Sequence, residues 1–374
     1  MTLPLIFVLI AACALSGGSE QSRDPTPAWV QRLDGCYLDS KGRLGQEGIA
    51  ALSSREVAVY CVTRNPNAPP GLSRRSGAQT SDPYQVNVFF LDNTDGHVLQ
   101  KASWPTRAGT QTDIFPVNDH FFLLVAGNAI QLIDRATLST VHRLANADPM
   151  SGCDSWKVIG SMDGMSFGVS HVCDVDHIFA SEITAYRTID FQKIAFWKNE
   201  GLNFYGVFDH HLLRWSTEHR GSSNEIVFYT PGLRETILRG TTFVVSKSIF
   251  LDGQTVLCCR GSNWLRVLRI DGQEMAYLNF DPNHNSSDPK VLADQIFASR
   301  TGQLIGALVF HVPWAGSLHW ECNVFDRSLH PLLRITVPVY HNDVTAVFSP
   351  DDKYVFVLRD ANVSAYSIPQ SANP

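Results

Sequence analysis

One pattern recurs along this chain and limits what it can become: a short alternating strand, a polar turn, then a second alternating strand. It reads "NVFFLDNTDGHVLQKASW", "IQLIDRATLSTVHRL", "ITAYRTIDFQKIAFW", "EIVFYTPGLRETIL", "LRVLRIDGQEMAYLNF", "CNVFDRSLHPLLRITV" and, truncated, "VSAYSI". Aligned on the residue that enters the turn, the copies fall at Asp92, Asp134, Arg187, Thr230, Asp271, Asp326 and Ser367, separated by 42, 53, 43, 41, 55 and 41 residues. Alternation of apolar and polar residues marks a strand with one buried face. The half-unit before each anchor carries a second hairpin, turning at Asp252-Gly253, Thr301-Gly302 and Asp351-Asp352. Such pairs supply the positive φ angles that tight hairpins require.

A repeat of this length holds four short strands, which is the content of one propeller blade. Seven anchors predict an all-β fold, a seven-bladed β-propeller of four-stranded antiparallel blades, with one domain over residues 27–368. The last unit, "HNDVTAVFSPDDKYVFVLRDANVSAYSI", begins at His341 and resembles a WD-repeat blade through its "FSPD" turn, although "SAYSI" stands where the Trp-Asp pair belongs. The chain as a whole resembles a divergent bacterial WD-repeat-like propeller. That resemblance implies a fold, not an activity. The last unit has only three strands, so its ring needs a fourth from elsewhere or is left with an open edge. The segment "PAWVQRLDGCYLD" (Pro27 to Asp39) alternates suitably, and Trp29 resembles Trp104 and Trp197 at the ends of other outer strands. An N-terminal strand is therefore expected to close the ring.

The first residues carry a different signal. "LPLIFVLIAACAL" (residues 3–15) is apolar and is followed by "SGGSEQSRDPTP". Thirteen residues are too few to span a bilayer but suit the core of a secretory signal, here residues 1–16. "IAAC" resembles a lipobox, which implies a lipid anchor at Cys13. The expectation is an exported protein: periplasmic, secreted or lipid-anchored. Its net charge of −6 offers no basic excess to displace phosphate counterions, so a nucleic-acid partner is not expected.

In a four-stranded blade, the connections from strand two to three and from strand four to the next blade share one face. The longer connections fall there: Thr63–Tyr84, Ala145–Ser155, Ser170–Ser181, Asp281–Lys290 and His311–Leu318. Long loops on a rigid scaffold are where recognition concentrates. The first carries Arg64, Arg74 and Arg75, suited to an anionic group. "HVPWAGSLHW" groups His311, Trp314 and His319, and His341 opens the last unit on the same face. Asp113, Asp154, Asp294 and Asp343 sit near the starts of innermost strands, where carboxylates converging on the channel mouth could hold Ca²⁺. Asp also caps turns beside strands, and the unequal spacing of these four fits that reading. "DVDH" (Asp174 to His177) and "DHH" (Asp209 to His211) alternate across a strand, so neither string forms a ready pocket.

Eight cysteines occur, and removing Cys13 leaves seven. Cys36 with Cys61 and Cys153 with Cys173 are expected disulfides on the long-loop face, in keeping with export. Cys258, Cys259 and Cys322 lie in apolar strands and read as buried small hydrophobes. There is no Walker loop, no HExxH, no GxSxG and no CxxC. The residues point first to an exported propeller that binds a protein or glycan through its long-loop face. The alternative is a periplasmic enzyme, a hydrolase or a propeller dehydrogenase-like subunit, working at the channel mouth. No cofactor is identified by sequence.

Overall fold

The structure is a computed structural model describing residues 24–34, 36, 46–67, 84–106, 111–127, 129–145, 153–161, 163–175, 178–200, 208–209, 211–217, 224–229, 235–240, 247–260, 263–269, 271–282, 291–311, 319–338 and 344–369. For residues 153–157, 170–183, 197–200 and 208–248 the description is of the backbone alone, wherever these are included.

The protein is an all-β propeller of four-stranded antiparallel blades. Its strands form seven sheets, each paired in simple up-and-down order except the last. Sheet 1 holds Glu47–Ser53, Glu56–Arg64, Tyr84–Asp92 and Val98–Thr106. Sheets 2 to 6 span residues 112–145, 153–200, 208–240, 247–279 and 291–338. Sheet 7 combines Thr345–Phe348, Tyr354–Arg359 and Asn362–Ser367 with the N-terminal strand Trp29–Arg32. Each of the seven anchors read from sequence ends the third strand of a different sheet or follows it within two residues. The polar entry residue works there as the turn requires. Asp134 Oδ1 accepts from the Thr137 amide at 2.8 Å, and Asp326 Oδ1 accepts from the Ser328 amide at 2.8 Å.

Most neighbouring sheets pack through their innermost strands, and the last packs on the first: Glu47–Ser53 touches both Thr112–Pro116 and Thr345–Phe348. Apolar side chains fill the described seams, between sheets 1 and 2, 2 and 3, 5 and 6, 6 and 7, and 7 and 1. Between sheets 7 and 1, the buried cluster contains Trp29, Val59, Cys61, Phe89, Phe356 and Val363. Polar clamps accompany it. Gln111 donates to the Val158 carbonyl at 3.0 Å and accepts from the Val158 amide at 2.7 Å, joining sheets 2 and 3. Arg135, one residue past the sheet 2 anchor, pairs with Glu56 in sheet 1. Arg327, one residue past the sheet 6 anchor, pairs with Asp252 in sheet 5. The same repeat position thus ties two different seams.

Ring closure follows the expected route. Trp29 lies opposite Ala365 and Arg32 opposite Asn362, antiparallel. The Trp29 ring sits 5.7 Å from Phe356, and its Nε1 donates to the Asn93 carbonyl of sheet 1 at 2.9 Å. A disulfide joins Cys36 to Cys61, with 5.8 Å between their Cα atoms. It ties the segment leaving the closing strand to the second strand of sheet 1. Closing a loop of 25 residues contributes roughly 3–4 kcal/mol by chain entropy.

Two expectations need correction. Ser170–Ser181 is not a long loop. Its strands run on to Val175 and resume at Ile178, with every position from Ser170↔Ile183 to Val175↔Ile178 in register. Its polar residues suggest a loop by composition, but the backbone ladder continues through them. Cys153 and Cys173 consequently lie within strands, not loops. Cys153 begins the innermost strand and stands directly opposite Cys173. Opposed antiparallel residues have Cα atoms about 4.5–5.5 Å apart, inside the span a disulfide bridges. Non-reducing peptide mapping is expected to recover one peptide linking Cys153 to Cys173. Free thiols at both positions would remove the bond.

Candidate binding face

The two ends of the propeller differ. At one end lie the hairpin turns, which crowd together. Gly302 (φ 69°) abuts the Leu251 carbonyl of sheet 5, and Gly164 (φ 71°) abuts the Val117 carbonyl of sheet 2. Thr301 Oγ1 donates to Asp352 in sheet 7 at 2.5 Å. Burial raises the Asp352 pKa above the ordinary carboxylate range. Arg300, in the same innermost turn of sheet 6, places Nη2 3.4 Å from Val117 O and 3.5 Å from Asp163 O. Val117 belongs to sheet 2 and Asp163 to the first turn of sheet 3, so this side chain links turns of three sheets.

The other end carries the longer connections: residues 65–83, 146–152, 280–290, 312–318 and 339–344. Arg64 is exposed at its rim, ending a strand opposite Tyr84. Arg74, Arg75, Trp314 and His341 lie outside the described residues. Asp113 begins an innermost strand as expected, and there it serves a seam. Tyr60 donates to the Thr112 carbonyl at 2.9 Å and approaches Asp113 Oδ1 at 3.4 Å, while Gln111 Nε2 lies 3.5 Å from Oδ2. Burial first, then the Asp113 charge, holds the Tyr60 phenol well above its usual pKa. Glu47, at the equivalent place in sheet 1, accepts from the Ala361 amide of sheet 7 at 3.3 Å. Asp154 and Asp294 occupy innermost strands, but their side chains lie outside the described set, as does Asp343 altogether. Asp174, Val175, Asp209 and His211 are described only as backbone, and Asp176, His177 and His210 lie outside the described residues.

His311 and His319 are brought together. They stand opposite each other across the ladder at the mouth of the 312–318 connection, with rings stacked 4.6 Å apart and 7° from parallel. Between them and the core sits Glu321, two residues along from His319. His311 Nε2 is 3.0 Å from Glu321 Oε2, and His319 Nε2 is 3.6 Å from Oε1. Arg334 pairs with the same Oε1. Glu321 is only 5% exposed. Burial pushes its pKa up, but Arg334 and His311 outweigh that and hold the carboxylate below its ordinary range. Val309 shares this face of the sheet and packs on Leu257 and Leu265, so the group looks toward sheet 5. Sequence reading found the histidines and missed Glu321, because "HWECNVF" reads as an ordinary buried strand. Its signal was a carboxylate at an inward position of an apolar strand, two residues from a histidine.

The remaining thiols behave as read. Cys258 and Cys322 are both buried, and burial pushes the Cys322 pKa up to about 12. The Cys259 side chain lies outside the described set. No helix among the described residues is long and apolar enough to cross a membrane.

No family model matches the chain, and no curated protein matches it. Among solved structures, it is similar to a chain of "Crystal Structure of Mitotic Checkpoint Complex", at 13% identity and a TM-score of 0.56, covering 99% of this chain and 100% of that one. Chains similar to this one number 633, so a shape this widely shared identifies architecture rather than activity.

Proposed function

We propose that this chain is an exported binding propeller that engages a protein partner through the face carrying its longer connections. The observation that carries the reading is the asymmetry of the two ends. One is built of tight turns linked by Arg300; the other gathers the long connections, Arg64 and the His311–His319 pair. Tight turns serve the scaffold, while longer loops on a rigid frame are free to vary and to recognise. The solved neighbour is a chain of a protein complex, which is consistent with a protein as the partner. The Cys36–Cys61 bond supports the export reading, because such bonds persist in oxidising compartments. The apolar residues 3–15 support it from the other end.

The test is site-specific photo-crosslinking in the native host. A crosslinking residue at Arg64 or His319 is expected to yield a discrete protein adduct, and one at Asp95 or Asp271, in the turns of the opposite end, is not. Adducts from the turn end alone would refute the choice of face. A glycan-sized adduct would replace the protein partner with a saccharide. Intact mass of the purified protein tests export: the reading predicts cleavage between residues 12 and 20, with acyl chains on Cys13 if a lipid anchor forms. An intact Met1 would defeat it.

A further inference from the structure

We propose that His311, His319 and Glu321 form a site for a divalent transition metal of the zinc class, bound through two imidazole Nε2 atoms and the Glu321 carboxylate. It is independent of which partner the long-loop face engages.

The ligand atoms of these three residues all lie within 4.8 Å of one another. Two imidazole nitrogens and a carboxylate oxygen make a donor set that suits zinc and its neighbours. A tetrahedral zinc with bonds of about 2.0–2.2 Å holds its ligands about 3.3–3.5 Å apart. The contacts to Glu321, at 3.0 and 3.6 Å, already bracket that spacing. The backbone beneath is a regular ladder, with His311 opposite His319 and Val309 opposite Glu321. Ligands on paired strands lose little freedom on binding, unlike ligands on a loop.

Both Nε2 atoms lie beside one buried carboxylate, and a cation among the three residues satisfies the Glu321 carboxylate and both nitrogens together. Arg334 supplies positive charge to Oε1 meanwhile, and its side chain is 65% exposed, free to leave for solvent when a metal arrives. The residues of the adjoining connection, "VPWAGSL", contain only Ser317 as a further side-chain donor. Three protein ligands with an open fourth position are the pattern of zinc sites that keep a place for water or a partner's side chain.

The test uses the full exported chain, stripped with chelator and dialysed against Zn²⁺, with Co²⁺ as the spectroscopic probe. The expected result is one tight equivalent of Zn²⁺ and an intense visible Co²⁺ band from four-coordinate geometry. His319→Gln and Glu321→Gln are each expected to weaken binding about 100-fold or more, since even outer-shell partners of a metal matter 10–100-fold. Asp92, Asp95 and His97 form another close group, in an exposed turn at the opposite end. His97→Gln is the control and should leave binding unchanged. Should the Glu321 variant fail to fold, X-ray absorption at zinc in the unaltered protein decides instead, with two imidazoles in the first shell expected. No stoichiometric binding, a shell without imidazole, or binding lost only in His97→Gln would overturn the site.

Discussion

A chain beginning at residue 45 should not give a stable, soluble monomer. It lacks the strand Trp29–Arg32, the Trp29 contacts with Phe356 and Asn93, and the Cys36 half of the disulfide. Removing Trp29 alone costs about 3–5 kcal/mol by the usual scale for a buried tryptophan, and the disulfide adds roughly another 3. Their sum is comparable to the whole stability of an ordinary domain. The loss also bares the edge of Asn362–Ser367, a row of unpaired backbone groups able to recruit another chain. Expression, size exclusion and thermal melting check the outcome. A truncated chain that stays monomeric and melts like the full-length protein would show that the closing strand is dispensable.

Gly302→Ala should be the most damaging single-methyl change in a turn. The position has φ 69°, and a Cβ there would overlap the Leu251 carbonyl oxygen of the neighbouring sheet. Strain in the left-handed region adds about 1 kcal/mol and forced displacement of backbone about 2 more, giving roughly 3 kcal/mol. Gly272 separates the two causes. Its φ is 93°, yet nothing lies within 4 Å of the added methyl. Gly272→Ala should therefore lose only about 1 kcal/mol. Urea denaturation of both variants measures the difference. Equal losses would mean that the turns of neighbouring sheets are not pressed together.

The repeat was readable because period-two alternation and polar turn residues are local signals, and local signals survive divergence. Asp92, Asp134 and Asp326 announce their turns through hydrogen bonds to amides a few residues away. Closure by residues 27–39 was readable for another reason: three strands with an open edge demand a fourth. What escaped depends on the sheets' relation in space. Arg300 sits in an unremarkable "SRTG" turn, and its partners are 183 and 137 residues away. Glu321 lies among apolar neighbours and gains its meaning from His311, which only the ladder brings opposite. The 170–181 hairpin was misread because its polar residues look like a loop by composition, while its pairing is set by the strand across the ladder. Asp113 points the same way. Its position was right, but its work is with Tyr60 and Gln111 across a seam.

The closing strand sets a timetable as well as a shape. Trp29 pairs with Ala365, so the first of the described strands waits for the last one. Contacts between such distant residues form slowly, because the loop entropy is spent before the contact repays it. Until residues 362–367 emerge, the growing chain holds a tryptophan strand with no neighbour and a run of finished hairpins with nothing to seal them. An export route that threads chains unfolded would meet this protein in the one state it can accept. The ring would then be completed on the far side, where the Cys36–Cys61 bond can form and make completion lasting.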